Sequence, residues 1–253
     1  MDTITSAKNP TVRALRALKD RRTREETGRI LVEGEVMIRE ALSSGLRPIA
    51  ALSEEELPLL AELRGADVKL CSRSVLKKVC DTKTPQGVCA AFEIPRAAAI
   101  PEGASCLLAL DGVQDPGNVG TILRTADAAG FEGVLMSART ADIYSPKVQR
   151  SAMGSGFRVS CVRCELGEAL DRYAEAGWKT VVSTLDGKDL YENAEDYRRE
   201  KMILVIGNEA RGVSEEIRAR ADIRLKIPMR GKAESLNAAV AAGILMYELT
   251  RGM

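Results

Sequence analysis

The 253-residue chain contains no histidine. That absence removes Ser-His-Asp and Cys-His nucleophilic catalysis, histidine general bases and nearly all catalytic zinc sites. No apolar run approaches the roughly 18 residues that span a bilayer. The opening "MDTITSAKNP" lacks the hydrophobic core of a signal peptide, and Asp2 argues against a transit peptide, so a cytoplasmic protein is expected. Cysteine is sparse in pattern as well as in number. Of Cys71, Cys80, Cys89, Cys106, Cys161 and Cys164, only the last two form a C-x-x-C, and no second pair accompanies it. "RVSCVRCE" reads as a strand, in which the thiols are small buried side chains of a reduced compartment.

Charge excess is also missing, at a net +1, so nothing global announces a polyanion. The distribution is less even. Residues 1–30 hold Lys8, Arg13, Arg16, Lys19, Arg21, Arg22, Arg24 and Arg29 against Asp2, Asp20, Glu25 and Glu26. A second basic stretch from Arg139 to Arg163 includes Lys147, Arg150 and Arg158, with Asp142 as its one acid. Either stretch alone reads as a solvated face; two in a near-neutral chain favour a polyanionic partner.

What is present is the composition of a globular protein, 45% hydrophobic and 29% charged. The length suggests two domains, with one large α/β domain as the alternative. "IPRAAAIPEGAS" separates two periodic regions as a linker. Before it, the pattern predicts a basic helix over about residues 9–26, strand "RILVEG", helix "EVMIREALSSG" and strand "PIAALS". A helix around Pro58 in "EEELPLLAELRG", strand "DVKLCS", a helix from Ser74 to about Cys80 and strand "GVCAAFEI" follow. After it come "CLLALDG", suited to a buried parallel strand, the helical "VGTILRTADAAG", and strand "FEGVLMS". Then "LGEALDRYAEAG" and "SEEIRARA" read as helices, while "WKTVVSTLD", "KMILVIG" and "IRLKIPM" read as strands. The final helix puts Leu236, Val240, Gly243, Ile244 and Tyr247 on one face.

Three stretches repeat one design of strand, glycine-containing loop, polar side chain and helix start. In "DPGNVGTILRTADAAG", Asn118 is either a helix N-cap or a site residue, and Arg124 either a surface residue or one facing the same mouth. The glycines fit neither the G-x-G-x-x-G fingerprint nor a Walker loop, which disfavours a dinucleotide dehydrogenase. In "VIGNEARGVSEE", Glu209 follows a buried strand end, as a functional carboxylate or a cap for backbone N–H groups, and Ser214 is placed to cap the next helix. In "IPMRGKAESLNAAVAAG", a helix starts near Ser235 and Asn237. Three such loops would converge on one pocket for a nucleotide-like ligand.

"LDGVQDPGNVGTILRTADAAGF", "VIGNEARGVSEE" and "IPMRGKAESLNAAVAAGILMYE" resemble, in order and spacing, the three motifs of the SpoU or TrmH branch of the SPOUT RNA methyltransferases. The likeness spans about residues 106–250, and Ala210 departs from it where glycine is frequent. The N-terminal module is similar, more loosely, to a ribosomal-protein-like substrate-binding domain. The resemblance implies an α/β chain: an RNA-binding domain over 1–96, a linker over 97–105, and a trefoil-knotted parallel-sheet methyltransferase domain over 106–253. It implies S-adenosylmethionine contacted around Thr184, Gly207, Ile227, Met229 and Leu236, and no metal. It implies a homodimer through the final helix and the first-motif helix. Methyl transfer to a ribose 2′-hydroxyl of RNA follows, with Arg124 at the 2′-oxygen and Asn118, Glu209, Ser235 and Asn237 orienting the groups around it. Arg13, Arg16, Arg21 and Arg22, with Lys147, Arg150 and Arg158, would hold the RNA backbone. Ribosomal RNA is favoured over transfer RNA by analogy, and a non-catalytic RNA-binding factor of the same fold is the alternative.

Overall fold

The computed structural model describes residues 3–94, 99–193 and 201–252. Its backbone packing forms two units, Met1–Ala97 with Tyr144–Arg150, and Ala98–Ile143 with Ser151–Met253. Part of the linker expected over 97–105 lies outside the described residues.

The first unit starts with two helices where the charge pattern predicts one, α1 (Pro10–Ala17) and α2 (Arg21–Thr27). The cause is local. Asn9 caps α1 by accepting from the Thr11 N–H at 2.9 Å, with Pro10 preset for the first turn. Asp20 then takes an extended conformation and caps α2, accepting from the Thr23 N–H at 2.9 Å, and Gly28 ends it in the left-handed region at φ 64°. Arg24 is buried between them. Its Nη1 donates to the Leu18 and Lys19 carbonyls at 2.7 Å, so this member of the basic stretch closes a turn.

There follow β1 (Arg29–Glu33), α3 (Glu35–Ser43), β2 (Pro48–Ser53), β3 (Asp67–Leu70), α4 (Arg73–Val79) and β4 (Val88–Glu93). The helix expected around Pro58 is only a 3-10 turn, Pro58–Ala61. Proline disfavours helix in the residue before it and lacks an N–H, leaving too few residues before the turn at Gly65. The sheet order is β1-β4-β2-β3, antiparallel except for the parallel β2–β3 pair. Val12, Leu15 and Leu18, at helical spacing, fill its core with Val75, Leu76 and Val79. Each fully buried Leu or Val contributes about 1.5–3 kcal/mol. The segment Tyr144–Arg150 joins this unit through Gln149, whose Nε2 donates to the Leu31 carbonyl at 3.2 Å.

The second unit contains β5 (Cys106–Asp111), α5 (Pro116–Ala128), β6 (Gly133–Met136), α6 (Pro146–Ala152, mostly counted with the first unit), α7 (Ser155–Arg158) and β7 (Ser160–Arg163). It continues with α8 (Leu166–Glu175), β8 (Lys179–Asp189), α9 (Leu190–Asn193), β9 (Met202–Gly207), α10 (Glu215–Arg218), β10 (Ile223–Lys226) and α11 (Ala238–Leu249). All six strands pair in parallel in the order β10-β8-β9-β5-β6-β7. β5 and β9 are buried at every position, as their unbroken apolar runs require. The chain steps from β5 outward through β6 and β7, then resumes on the other side, so the strand order reverses between β5 and β9. Such a reversal opens a crevice at the strand C-termini, here at the paired Asp111 and Gly207.

Cys161 lies within β7, where burial pushes its thiol up to about 12, consistent with packing. Among the described residues no helix is long and apolar enough to cross a membrane, and no three metal-ligating side chains cluster.

Candidate active site

Two loops leave the reversal point together. After β5 the chain turns through Gly112 and enters α5, whose N-cap is Asp115: its Oδ1 accepts from the Asn118 N–H at 2.9 Å. The capping expected of Asn118 is therefore done three residues earlier, and the Asn118 side chain is left for another task. After β9 the loop 208–214 folds back so closely that a Cβ on Gly207 would lie 2.2 Å from the Gly212 carbonyl carbon and the Val213 nitrogen. Gly212 has φ 67°, a conformation that glycine reaches without the penalty of a side chain. Ser214 occupies the α10 N-cap but makes no side-chain cap bond; its N–H donates to Asp111 Oδ2 at 2.7 Å instead.

Glu209 ties the loops to each other. Its carboxylate accepts from the backbone N–H groups of Gln114 at 3.2 Å and Asp115 at 3.0 Å, and from Asn118 Nδ2 at 3.0 Å. Asn118 Oδ1 in turn accepts from Asn237 Nδ2 at 2.9 Å, and Asn237 Oδ1 caps α11 by accepting from the N–H groups of Ala239 at 2.9 Å and Val240 at 3.3 Å. The direction of the chain is fixed by chemistry. An ionised carboxylate only accepts, so Asn118 must turn its amide nitrogen to Glu209 and its oxygen to Asn237, whose own oxygen is then free for the helix end. Burial pushes the Glu209 carboxyl up, but the hydrogen bonds from Asn118, Asp115 and Gln114 outweigh it and hold it below the usual range. Glu209 thus caps orphan N–H groups, one of the two readings its position allowed, and is the charged member of a polar relay.

Asn118, Glu209 and Asn237 are brought together; Ser235 and Arg124 are exposed and, among the described residues, form no hydrogen bond with them. Arg124 lies on α5, whose Val119, Ile122, Leu123 and Ala126 are buried, and α11 packs against α5. Thr184 from the middle of β8, Gly207 from the end of β9, and Ile227, Met229 and Leu236 from the segment after β10 all line one cleft of about 510 Å³ that also reaches Glu209 and Ser235. That size suits a nucleoside-sized ligand. The cleft lining fits S-adenosylmethionine, with the apolar Ile227, Met229 and Leu236 for a flat base and the polar Asn208, Glu209 and Ser235 for the charged end.

Two residues outside the expected set hold the site. Asn208 Nδ2 donates to the Gly112 carbonyl at 2.9 Å while its Oδ1 accepts from the N–H groups of Ala210 and Arg211 at 3.0 and 3.1 Å. Asp111 is 5% exposed and anchors Ser214, with Arg139 Nη2 at 3.9 Å. The signal for Asn208 was its own chemistry, since Asn next to Gly favours a self-bonded turn; for Asp111 it was a carboxylate ending a wholly apolar run.

The basic residues take several roles. Arg13 and Arg16 are exposed on α1. Arg21 and Arg22 pair with Glu25 and Glu26 four residues on, at 2.7 and 2.6 Å. Lys147 is exposed, Arg150 lies 3.3 Å from Asp81 within the first unit, and Arg158 binds Asp127 of α5 at 2.7 Å within the second.

A parallel sheet with a reversal-point crevice, a relay of amides and a carboxylate, and an adjoining nucleoside-sized cleft describe a nucleotide-cofactor enzyme of the α/β class. The chain belongs to the SpoU rRNA Methylase family, whose pattern residues 105–247 match, and residues 9–90 match the MRM3-like substrate binding domain. It is 37% identical to the 23S rRNA (guanosine(2553)-2′-O)-methyltransferase RlmP of Bacillus subtilis, over 98% of this chain and 99% of that one. Its fold superposes on the AdoMet-bound rRNA methyltransferase of Sinorhizobium meliloti with TM-score 0.88 and 33% identity, covering 99% of this chain and 97% of the other. The SpoU methyltransferase AviRb of Streptomyces viridochromogenes, solved with AdoMet, gives TM-score 0.84 and 31% identity over 96% and 98%.

Proposed function

We propose that this chain transfers a methyl group from S-adenosylmethionine to a ribose 2′-hydroxyl in ribosomal RNA. The observation that carries the reading is the Asn237–Asn118–Glu209 relay at the β5/β9 reversal, joined through Glu209 to the cleft lined by β8, the end of β9 and the segment after β10. The cofactor supplies a methyl group activated by a sulfonium; the protein must align the ribose oxygen and manage its proton. With no histidine in the chain, we assign the 2′-oxygen to Arg124, exposed on α5 and free to meet substrate. A guanidinium holds its charge, so Arg124 stabilises developing alkoxide by hydrogen bonding and becomes a base only where the site or a phosphate removes its proton. Asn118, Glu209, Ser235 and Asn237 orient ribose and cofactor, and Thr184, Gly207, Ile227, Met229 and Leu236 hold the cofactor.

The first unit grips the RNA backbone through Arg13 and Arg16, assisted by Arg21 and Arg22, and Lys147, Arg150 and Arg158 add contacts near the target nucleotide. The target ribose belongs to a splayed nucleotide, because a regular A-form helix presents its 2′-hydroxyl poorly for in-line attack. We further assign the protein to the cytoplasm, its C-terminal segment to a trefoil knot, and its quaternary state to a homodimer. Val240 and Tyr247 on α11 are 51% and 56% exposed, an apolar face that a second copy would cover.

Incubation with methyl-labelled S-adenosylmethionine and RNA from cells lacking the gene tests the activity; label should enter ribosomal RNA at one 2′-O position. No label in any RNA fraction from a protein that binds the cofactor would overturn the reading. Arg124→Ala should abolish incorporation while leaving cofactor affinity unchanged, and undiminished methylation would remove Arg124 from the site.

A further inference from the structure

The turn that follows β6 is bound on its carbonyl face and open on its N–H face. Residues Ser137 to Thr140 form a β-turn, closed by the Thr140 N–H donating to the Ser137 carbonyl at 3.1 Å. Side chains tie it to the end of β5. Ser137 Oγ accepts from the Gly112 N–H at 2.9 Å, and Thr140 Oγ1 donates to the Leu110 carbonyl at 2.8 Å. Arg163, the last residue of β7, holds the other face: its Nη1 donates to the carbonyls of Ser137, Ala138 and Thr140 at 2.7, 3.0 and 3.1 Å.

Those carbonyls decide where the N–H groups go. In a trans peptide the C=O and the N–H point in opposite directions, so the three carbonyls that meet Arg163 turn the N–H groups of Ala138, Arg139 and Ala141 away from it. Ala141 shows what lies on that side. Its N–H reaches the Val113 carbonyl at 3.0 Å, in the loop between β5 and α5 that borders the crevice. Among the described residues the N–H groups of Ala138 and Arg139 have no partner, and both residues are exposed. The Arg139 side chain is 65% exposed and, among the described residues, has only a loose pairing, Nη2 to Asp111 Oδ1 at 3.9 Å.

Two successive free N–H groups and a guanidinium on one braced turn make an anion nest, and a guanidinium fork matches the oxygens of a phosphate. Gly112 joins this nest to the relay. Its N–H is held by Ser137, while its carbonyl accepts from Asn208 Nδ2 at 2.9 Å, beside Glu209.

We propose that the Ala138 and Arg139 N–H groups, with the Arg139 guanidinium, bind an RNA phosphate next to the target ribose, and that Arg163 is the positioning residue that braces their turn. The assignment rests on RNA being the substrate. Filter binding of ribosomal RNA from cells lacking the gene, across a salt series, tests it alongside calorimetry with S-adenosylhomocysteine. Arg139→Gln should lower the slope of log affinity against log salt by about 0.7–0.9, one phosphate contact, and leave S-adenosylhomocysteine affinity unchanged. Ala138→Pro removes one nest N–H at the second turn position, which proline favours, so its melting temperature should hold while RNA affinity falls about fivefold, one hydrogen bond. Arg163→Gln should lose as much slope as R139Q, and R139Q/R163Q no more than either alone. Wild type that binds S-adenosylhomocysteine but no RNA would overturn the RNA reading and the nest with it. With wild type binding RNA, an unchanged slope in R139Q or full RNA affinity in A138P would overturn the nest alone. Weaker S-adenosylhomocysteine binding by R139Q at an unchanged slope would give the nest to the cofactor carboxylate, and full slope in R163Q would remove Arg163 from its role.

Discussion

Asn118 Nδ2 donates to Glu209 Oε1 at 3.0 Å, joining the helix that follows β5 to the loop that follows β9 across 91 residues of chain. The bond is one of three that Glu209 accepts from the same turn, two from backbone N–H groups, so the carboxylate holds the turn as well as the amide.

Glu209→Gln tests that double role. The substituted amide would point its NH2 either at the Gln114 N–H or at the Asp115 and Asn118 donors, breaking at least one bond, and in the second orientation Asn118 must turn and the relay to Asn237 reverses. Stability should fall by about 1 kcal/mol, the low end of the range because the carboxylate is solvent-accessible. Methyl transfer should fall by about a hundredfold or more, as for loss of a preorganised polar group. Thermal melts and single-turnover methylation would read the two effects separately; near-wild-type turnover would confine Glu209 to the loop.

The same carboxylate gives an acid limb. In the fold its pKa lies below the ordinary value of 4.5, so the unfolded chain binds the proton more readily than the native one. The stabilisation is therefore complete above the unfolded value and is lost as pH falls through the folded one. Melting temperatures of wild type and E209Q should differ by a constant amount from about pH 6 to 7 and converge toward about pH 3. A gap that widened on acidification would contradict the bonding described here.

Gly207→Ala places a Cβ 2.2 Å from backbone atoms of Gly212 and Val213, which cannot yield as a side chain can. The loop 208–214 must move, and with it Asn208, Glu209 and the Ser214–Asp111 bond. A loss of about 1–3 kcal/mol is expected, with weaker cofactor binding. Gly231→Ala is the control, because a Cβ there meets nothing within 4 Å, and its melting temperature should stay within about a degree, as for an unobstructed surface change.

How far the sequence foretells this molecule differs from element to element. β5 and β9 are legible because burial on both faces leaves unbroken apolar runs, and the glycine loops after β5 and β9 because strand, glycine and helix start follow one another closely; the cleft-lining Thr184, Ile227, Met229 and Leu236 came only from the resemblance to the SpoU or TrmH motifs. The split at Asp20 was visible only as one acid among basic residues; a cap competes with a continuing helix over a single φ/ψ choice, and helical periodicity does not resolve it. Asn118 was ambiguous for the same reason, since Asp115 could take the cap first. The Asp186–Arg218 ion pair was not legible at all. Its residues stand 32 apart on elements that look like solvated surface, and a parallel crossover is what brings them to 2.9 Å.

The RNA contact proposed for the first unit can be tested apart from its folding through α1. Arg13 and Arg16 lie three residues apart on α1, both exposed, and among the described residues neither forms an ion pair. Arg21 and Arg22 spend part of their charge on Glu25 and Glu26. Replacing Arg13 and Arg16 together by Gln should therefore weaken RNA binding more than the same change at Arg21 and Arg22, with no change in melting temperature. Each lost phosphate contact lowers the slope of log affinity against log salt by about 0.7–0.9, so the α1 pair should reduce it by about 1.4–1.8 if both arginines reach phosphate. Filter binding of a ribosomal RNA fragment across a salt series reads the slope directly; an unchanged slope would place the RNA on another face of the unit.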